Sequence, residues 1–262
     1  MKTKHQITTV ALLLLSGASG FGQTTTFTVA NAGNWGPVVA PDSIAAGFGT
    51  NLTTQQYSAL ATPLPLSLGG VKVDISDVNK LISAAPLYMA SAGQVNFLVP
   101  STVALGKANI TVANSSGSQQ GALLVSNVAP AIFAANGNGS GAAAGQILQV
   151  TATGSALLTY SFVAGGSGYS TLPFSLVPSS SSFYLILYGT GIRRHSSNPV
   201  QASIGGVKVP IAYAGPVGSL AGLDQINIGP LPQTLAATGK GDVDVVLTVD
   251  GVPANTVKLN IQ

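Results

Sequence analysis

The chain contains no cysteine and no glutamate, a single tryptophan, and only 6% charged residues. Each shortage excludes something. Without cysteine there is no thiol nucleophile, no disulfide framework and no cysteine zinc site. Without glutamate, any carboxylate chemistry rests on seven aspartates. Charge far below the usual quarter of residues leaves Ser, Thr, Asn, Gln and Gly to make the polar surface. The formal charge of +3 overstates any positive footprint. Lys2 and Lys4 sit in an N-terminal leader, and past it eight basic residues face seven acidic ones. Arg193-Arg194 is the only basic pair, so no stripe exists of the kind nucleic-acid binding requires. Helix-period segments and long apolar runs are also missing after the leader, which excludes a helical membrane span in the mature chain.

Apolar residues make up 46% of the 262-residue chain, enough for two real cores. Residues 1–22 read as a secretory signal peptide. Lys2 and Lys4 form its positive start, Ile7 to Leu15 its apolar centre, and Ser16 to Gly20 the small residues before cleavage. The expected location is therefore secreted, extracellular or at the cell surface.

An internal repeat organises the remainder. Leu68-Gly69-Gly70-Val71-Lys72-Val73 returns as Ile204-Gly205-Gly206-Val207-Lys208-Val209. Gly93-Gln94-Val95-Asn96-Phe97-Leu98-Val99-Pro100 returns around Gln225-Ile226-Asn227-Ile228-Gly229-Pro230. Strict alternation marks strands: Val71, Val73 and Ile75; Ala108, Ile110 and Val112; Val243, Val245, Leu247 and Val249; Val257, Leu259 and Ile261. Val207, Val209, Ile211 and Tyr213 are expected to share a face. Phe183 to Tyr188, apolar on both sides, predicts a central strand, and Asp250-Gly251 a hairpin turn. Short strands with frequent turn signals predict an all-β fold: two tandem immunoglobulin-like β-sandwiches. The expected division is an N-terminal sandwich over 23–135, closed by Pro130 to Phe133, a Gly/Ser/Asn-rich linker over 136–145, and a C-terminal sandwich over 146–262.

Tyr184 to Arg193, Ile204 to Val207, Tyr213 to Gly215, Gly222 to Asn227 and Leu231-Pro232 resemble the Solibacter-type uncharacterised C-terminal domain family. Pro41 to Leu52, Leu68 to Val73, Gln94 to Pro100 and Pro130 to Phe133 resemble its first half. The resemblance spans the mature chain and implies tandem Ig-like β units in a secreted protein. It supplies no site residues. The glycine bend followed by a Gly-Gly-Val strand is also similar to the Ig-like folds of plexins and some transcription factors.

Chemistry is sparse. His195 is the one histidine past the leader, beside Arg193-Arg194 and Ser196-Ser197; it could serve a serine nucleophile or stand in a polar loop. Asp74 with Asp77, and Asp242 with Asp244, are the close carboxylate pairs. They could act on glycosides or hold calcium, or be turns and a solvated strand face. Gly189-Thr190-Gly191 and Gly165 to Gly168 lack a following helix and read as turns rather than phosphate cradles. Trp35, Tyr57, Tyr169 and Tyr184 are scattered, a pattern of core packing or loop anchoring more than of a sugar platform. Gln94 and Asn96, like Gln225 and Asn227, are expected to be structural, their amides tying a neighbouring loop to the sheet; Gly205 and Gly206 belong to the same structural motif. The reading is a non-enzymatic protein without cofactor, with a structural or adhesive role toward an unknown protein or glycan at the cell surface. A carbohydrate-binding accessory module is the first alternative, to be recognised by an aromatic cluster on one exposed face. A hydrolase using His195 is the second.

Overall fold

The computed structural model describes residues 26–60, 62–197, 200–218, 220–237 and 241–262. The expected signal peptide lies outside them.

Among the described residues, ten strands make the first unit: β1 Thr28–Asn31, β2 Val38–Val39, β3 Ile44–Phe48, β4 Tyr57–Ser58, β5 Lys72–Ser76, β6 Ile82–Ala84, β7 Leu87–Ala90, β8 Gln94–Leu98, β9 Gly106–Asn114 and β10 Gly117–Val125. They form two five-stranded sheets, β1-β3-β8-β7-β4 and β2-β10-β9-β5-β6. The second unit contains β11 Ala131–Ile132, β12 Gly145–Val150, β13 Ala156–Tyr160, β14 Phe162–Gly165, β15 Gly168–Thr171, β16 Pro173–Phe174, β17 Ser182–Thr190 and β18 Gln201–Ile204. It continues with β19 Val207–Val209, β20 Ile211–Pro216, β21 Asp224–Ile228, β22 Gly241–Val249, β23 Val252–Pro253 and β24 Val257–Ile261. Its sheets run β13-β12-β17-β21-β20 and β16-β24-β22-β18-β19, with β11 added to β17 and β23 to β22. The order β1-β3-β8-β7 maps onto β12-β17-β21-β20, and β2-β10-β9-β5-β6 onto β16-β24-β22-β18-β19. In both units the short strand opening the second sheet pairs parallel with the last long strand. These are two tandem Ig-like sandwiches, and the duplication holds at the level of strand order.

Alternation explains each core. Val73, Ile75, Ile110, Val95 and Phe97 fill the first sandwich, and Leu185, Leu187, Ile226, Val245, Leu247 and Leu259 the second, each with almost no exposed surface. The Gly-Gly pairs are two-residue turns. Gly69 and Gly70 have φ of 58° and 82°, Gly205 and Gly206 of 55° and 81°, the left-handed pair that a hairpin between twisted strands requires. Asp250 and Gly251 do the same between β22 and β23.

Four expectations change. Ala131–Ile132 does not close the first unit; it pairs with Gly189 and Thr190 of β17. Residues 136–145 are not a free linker: Ala134 bridges Ala143, Ala142 bridges Lys258, and the Asn255 amide donates to the carbonyls of Ile132 and Gly139. Composition reports a loop but not whether its backbone is tied down. Val207 and Val209 do not share a face with Ile211 and Tyr213, because the chain passes from one sheet to the other at Pro210. Finally, β17 is central, but it buries one face and leaves Tyr184, Ile186 and Tyr188 half-buried on the other.

The units differ most at one place. Between β1 and β2 the first has only residues 32–37. Between β12 and β16 the second has 151–172, holding β13 and the β14–β15 hairpin.

Candidate functional site

The outer face of the β13-β12-β17-β21-β20 sheet collects what the sequence scatters. Direct cross-strand partners lie on the same face. Gln146 faces Tyr160 and Ile186; Leu148 faces Leu158 and Tyr184. Ile186 faces Asn227 and Tyr188 faces Gln225, while Asn227 on its other side faces Tyr213. Tyr160, Tyr184, Tyr188 and Tyr213 therefore share one sheet surface with the amides of Gln146, Gln225 and Asn227. Tyr160 is 61% and Tyr213 41% exposed; the others are half-buried. Beyond Tyr160 the aromatic run continues through Phe162 to Tyr169, with ring centroids 5.4 Å apart at each step. Of Asp, Lys, Arg and His, these five strands hold only Asp224, which is buried.

The amides are pre-set. Gln225 donates to Asn227 at 2.8 Å, as Gln94 does to Asn96 at 2.7 Å in the first unit. All four lie on half-buried outer faces, and each pair bonds internally rather than to a neighbouring loop. Among the described residues, the side-chain oxygen Oε1 of Gln225 and the side-chain Nδ2 of Asn227 make no bond to protein. The Tyr188 hydroxyl donates to the Gln146 side-chain oxygen Oε1 at 3.1 Å, which fixes that ring's tip.

Of the other aromatic candidates, Trp35 and Tyr57 lie elsewhere, and Tyr169 ends the run just described. Trp35 anchors a loop, donating to the Gly137 carbonyl at 3.0 Å and packing against Phe48 at 5.9 Å. Tyr57 lies over Gly69, where a Cβ would strike its ring. Tyr169 is held at its backbone by both ends of the Asn136 amide.

His195 is not arranged as a base. Its Nδ1 faces the Ser196 carbonyl at 2.7 Å and its Nε2 the Ala214 carbonyl at 3.2 Å, so neither nitrogen meets a serine hydroxyl. The Ser196 hydroxyl donates to Asp250, 2.8 Å away. Bonds from the Ser196 N–H and hydroxyl hold the Asp250 carboxyl below its ordinary value. Asp77 is equally committed. It accepts the N–H groups of Ala104, Asn79 and Leu81, which lower its pKa, and so clips two loops together rather than facing Asp74 across a metal. Asp242 and Asp244 are exposed on β22 and bond to Thr171, Asn260 and Lys258. No group of three metal-binding side chains occurs among the described residues.

The glycine bend after β17 joins the sandwiches. Thr190 Oγ1 donates to the Gly222 carbonyl at 2.7 Å and accepts the Ile44 N–H of the first unit at 2.8 Å. The Tyr88 hydroxyl donates to the Ala221 carbonyl, Asn31 donates to that of Ala129, and Arg194 pairs with Asp42 at 3.3 Å. Beneath lies an ion pair the sequence did not announce. Asp224 accepts Arg193 Nε at 2.6 Å and the Ile192 N–H at 2.7 Å. Burial pushes its carboxyl above the usual aspartate value, against the pull of those donors. The one clue in the sequence is position: Asp224 precedes Gln225 where the first unit has Gly93. A cleft of about 420 Å³ also opens between the units, lined by Pro37, Val38, Leu124, Val128, Pro130 and Val252.

Neither a protein-family model nor a curated protein matches the chain. Among solved structures, it is similar to SGBP-B of the Bacteroides ovatus mixed-linkage glucan utilization locus, in complex with a mixed-linkage heptasaccharide. The identity is 11% and the TM-score 0.32, over 86% of this chain and 43% of that one, so this chain spans less than half of its length. It is also similar to the titin Ig tandem A164–A165, at 9% identity and TM-score 0.26, over 86% and 90% of the two chains. No residue role is carried over from either.

Proposed function

We propose that this is a non-catalytic, secreted adhesive protein that attaches to neutral polysaccharide through the tyrosine–amide face of its second sandwich. One observation carries the reading: four tyrosines and three amides share a sheet surface that bears no charge. Sugar rings offer apolar C–H faces that lie against aromatic rings, and rims of hydroxyls that both donate and accept. An amide matches such a rim because it also does both. A surface with no cation offers nothing to an anionic polymer. The structural or adhesive reading of the sequence and its carbohydrate-binding alternative thus become one.

The test is affinity electrophoresis through gels cast with soluble neutral glucans, mannans or galactans, beside gels holding a polyuronate. Retardation is expected in at least one neutral gel and none in the polyuronate. Tyr184→Ala and Tyr188→Ala are each expected to weaken it by about tenfold, the scale of losing one stacked ring of about 1–1.5 kcal/mol. Asn227→Ala should weaken it while leaving the unfolding midpoint near the parent's. If no neutral polymer retards the parent, or if the tyrosine variants migrate like it, the face is not a glycan site.

A further inference from the structure

A sheet edge exposes unpaired backbone groups, and natural β-proteins guard their edges with short strands, prolines, charges or bulges. The edges of the four large sheets follow that rule except one. β2, β4 and β16 are two residues long, and β6 and β19 three. β19 carries Lys208 and ends at Pro210; β20 has a bulge between Ile211 and Tyr213 and ends in Pro216. β1 has four residues, with Ala30 and Asn31 buried. β13, in contrast, runs Ala-Leu-Leu-Thr-Tyr without proline, charge or bulge, and all five residues are exposed. It lies in the insertion that the first unit lacks.

The free groups of β13 can be assigned. Thr151 donates to Ser155 and Ser161 to Gly145, so residues 155, 157, 159 and 161 turn their backbone groups toward β12. Ala156, Leu158 and Tyr160 therefore turn theirs outward.

We propose that β13 pairs antiparallel with β13 of a second copy of this chain, on a two-fold axis through Leu158. The edge is complementary to itself about that residue. Leu158 would face Leu158 of the copy, and Ala156 would face Tyr160, small against large, each pair exchanging both backbone bonds. No charged residue lies between Thr151 and Leu172 to repel the copy. The β13-β12-β17-β21-β20 sheets of the two copies become one continuous sheet, and Leu158, 49% exposed in the single chain, is covered.

The test is light scattering and sedimentation of the protein over a range of concentrations. The parent is expected to show a concentration-dependent dimer. Leu158→Lys and Leu158→Asp, each opposing itself on the axis, should each raise the dissociation constant by about tenfold or more, with circular dichroism melts confirming the fold. Mixing the two should restore dimers, because only across the axis does residue 158 meet itself. In a chain with no other cysteine, Leu158→Cys should oxidise to a covalent dimer far faster than Leu66→Cys, which is also exposed. A parent that stays monomeric at every concentration overturns the proposal, and so does a dimer that persists unchanged in Leu158→Lys.

Discussion

Asp77 shows how one side chain can set the acid sensitivity of a loop pair. Its carboxylate accepts three backbone N–H groups from two segments, and its pKa is lowered. A lowered folded-state pKa means that the contribution to stability is present above the unfolded value, about 3.9 for aspartate, and is lost as pH falls through the folded value. Asp77→Asn is therefore expected to lower the melting temperature at neutral pH, since the Asn amino group would oppose one of those N–H donors. The gap from the parent should close as pH falls below about 3.9, read by thermal melts across an acid series. A gap that stays constant down to about pH 2 would contradict this. Asp224 carries the opposite sign: with its pKa raised by burial, its ionisation costs stability as pH rises through the folded value.

At the scale of elements, alternation was legible and register was not. Val245, Leu247 and Val249 point inward as their spacing requires, and Ala108, Ile110 and Val112 do the same. The Gly-Gly repeats could be seen in the sequence as shared motifs, and the structure gives them their reason. Gly206 has φ of 81° and open space where a Cβ would stand, so its cost on substitution is conformational alone. Gly206→Ala is expected to lose about 1 kcal/mol or slightly more, whereas Gly166→Ala, equally open but without a positive φ, should be near neutral. Chemical denaturation of both variants checks the pair. The tyrosine face, however, was hidden. Tyr160, Tyr184, Tyr188 and Tyr213 stand on three strands far apart in sequence, and only pairing through β12 and β21 puts them together. The crossing at Pro210 was hidden likewise, since alternation looks the same when a strand changes sheet.

For the whole molecule, the decisive feature is how the two sandwiches meet. Each has its own apolar core, and the joint between them includes bonds to backbone groups around the bend after β17. Gly222 is central to it. Its φ is 73°, and a Cβ there would come within 2.8 Å of Ile44 and Leu98 of the first unit. Gly222→Ala is expected to cost more than about 1 kcal/mol from the backbone alone and to loosen the joint. Small-angle scattering should then show a larger radius of gyration with both cores still folded. An unchanged radius would mean that the loop bearing Gly222 does not hold the units together.

The bare outer sheet has a consequence for where such a protein can work. Surface attraction between charges fades within about 10 Å at 0.1 M ionic strength and within about 3 Å at 1 M, so adhesives built on ion pairs let go in brine. The proposed grip, made of rings and amides, would have no such weakness. Its strength should change less than about twofold between fresh water and about 1 M sodium chloride. Retardation in neutral-polysaccharide gels run across that range of salinity is the measurement. A steep loss with salt would reveal a charged contact elsewhere on the chain. If the grip holds, one attachment serves a surface freshly wetted and the same surface as it dries and its salts concentrate.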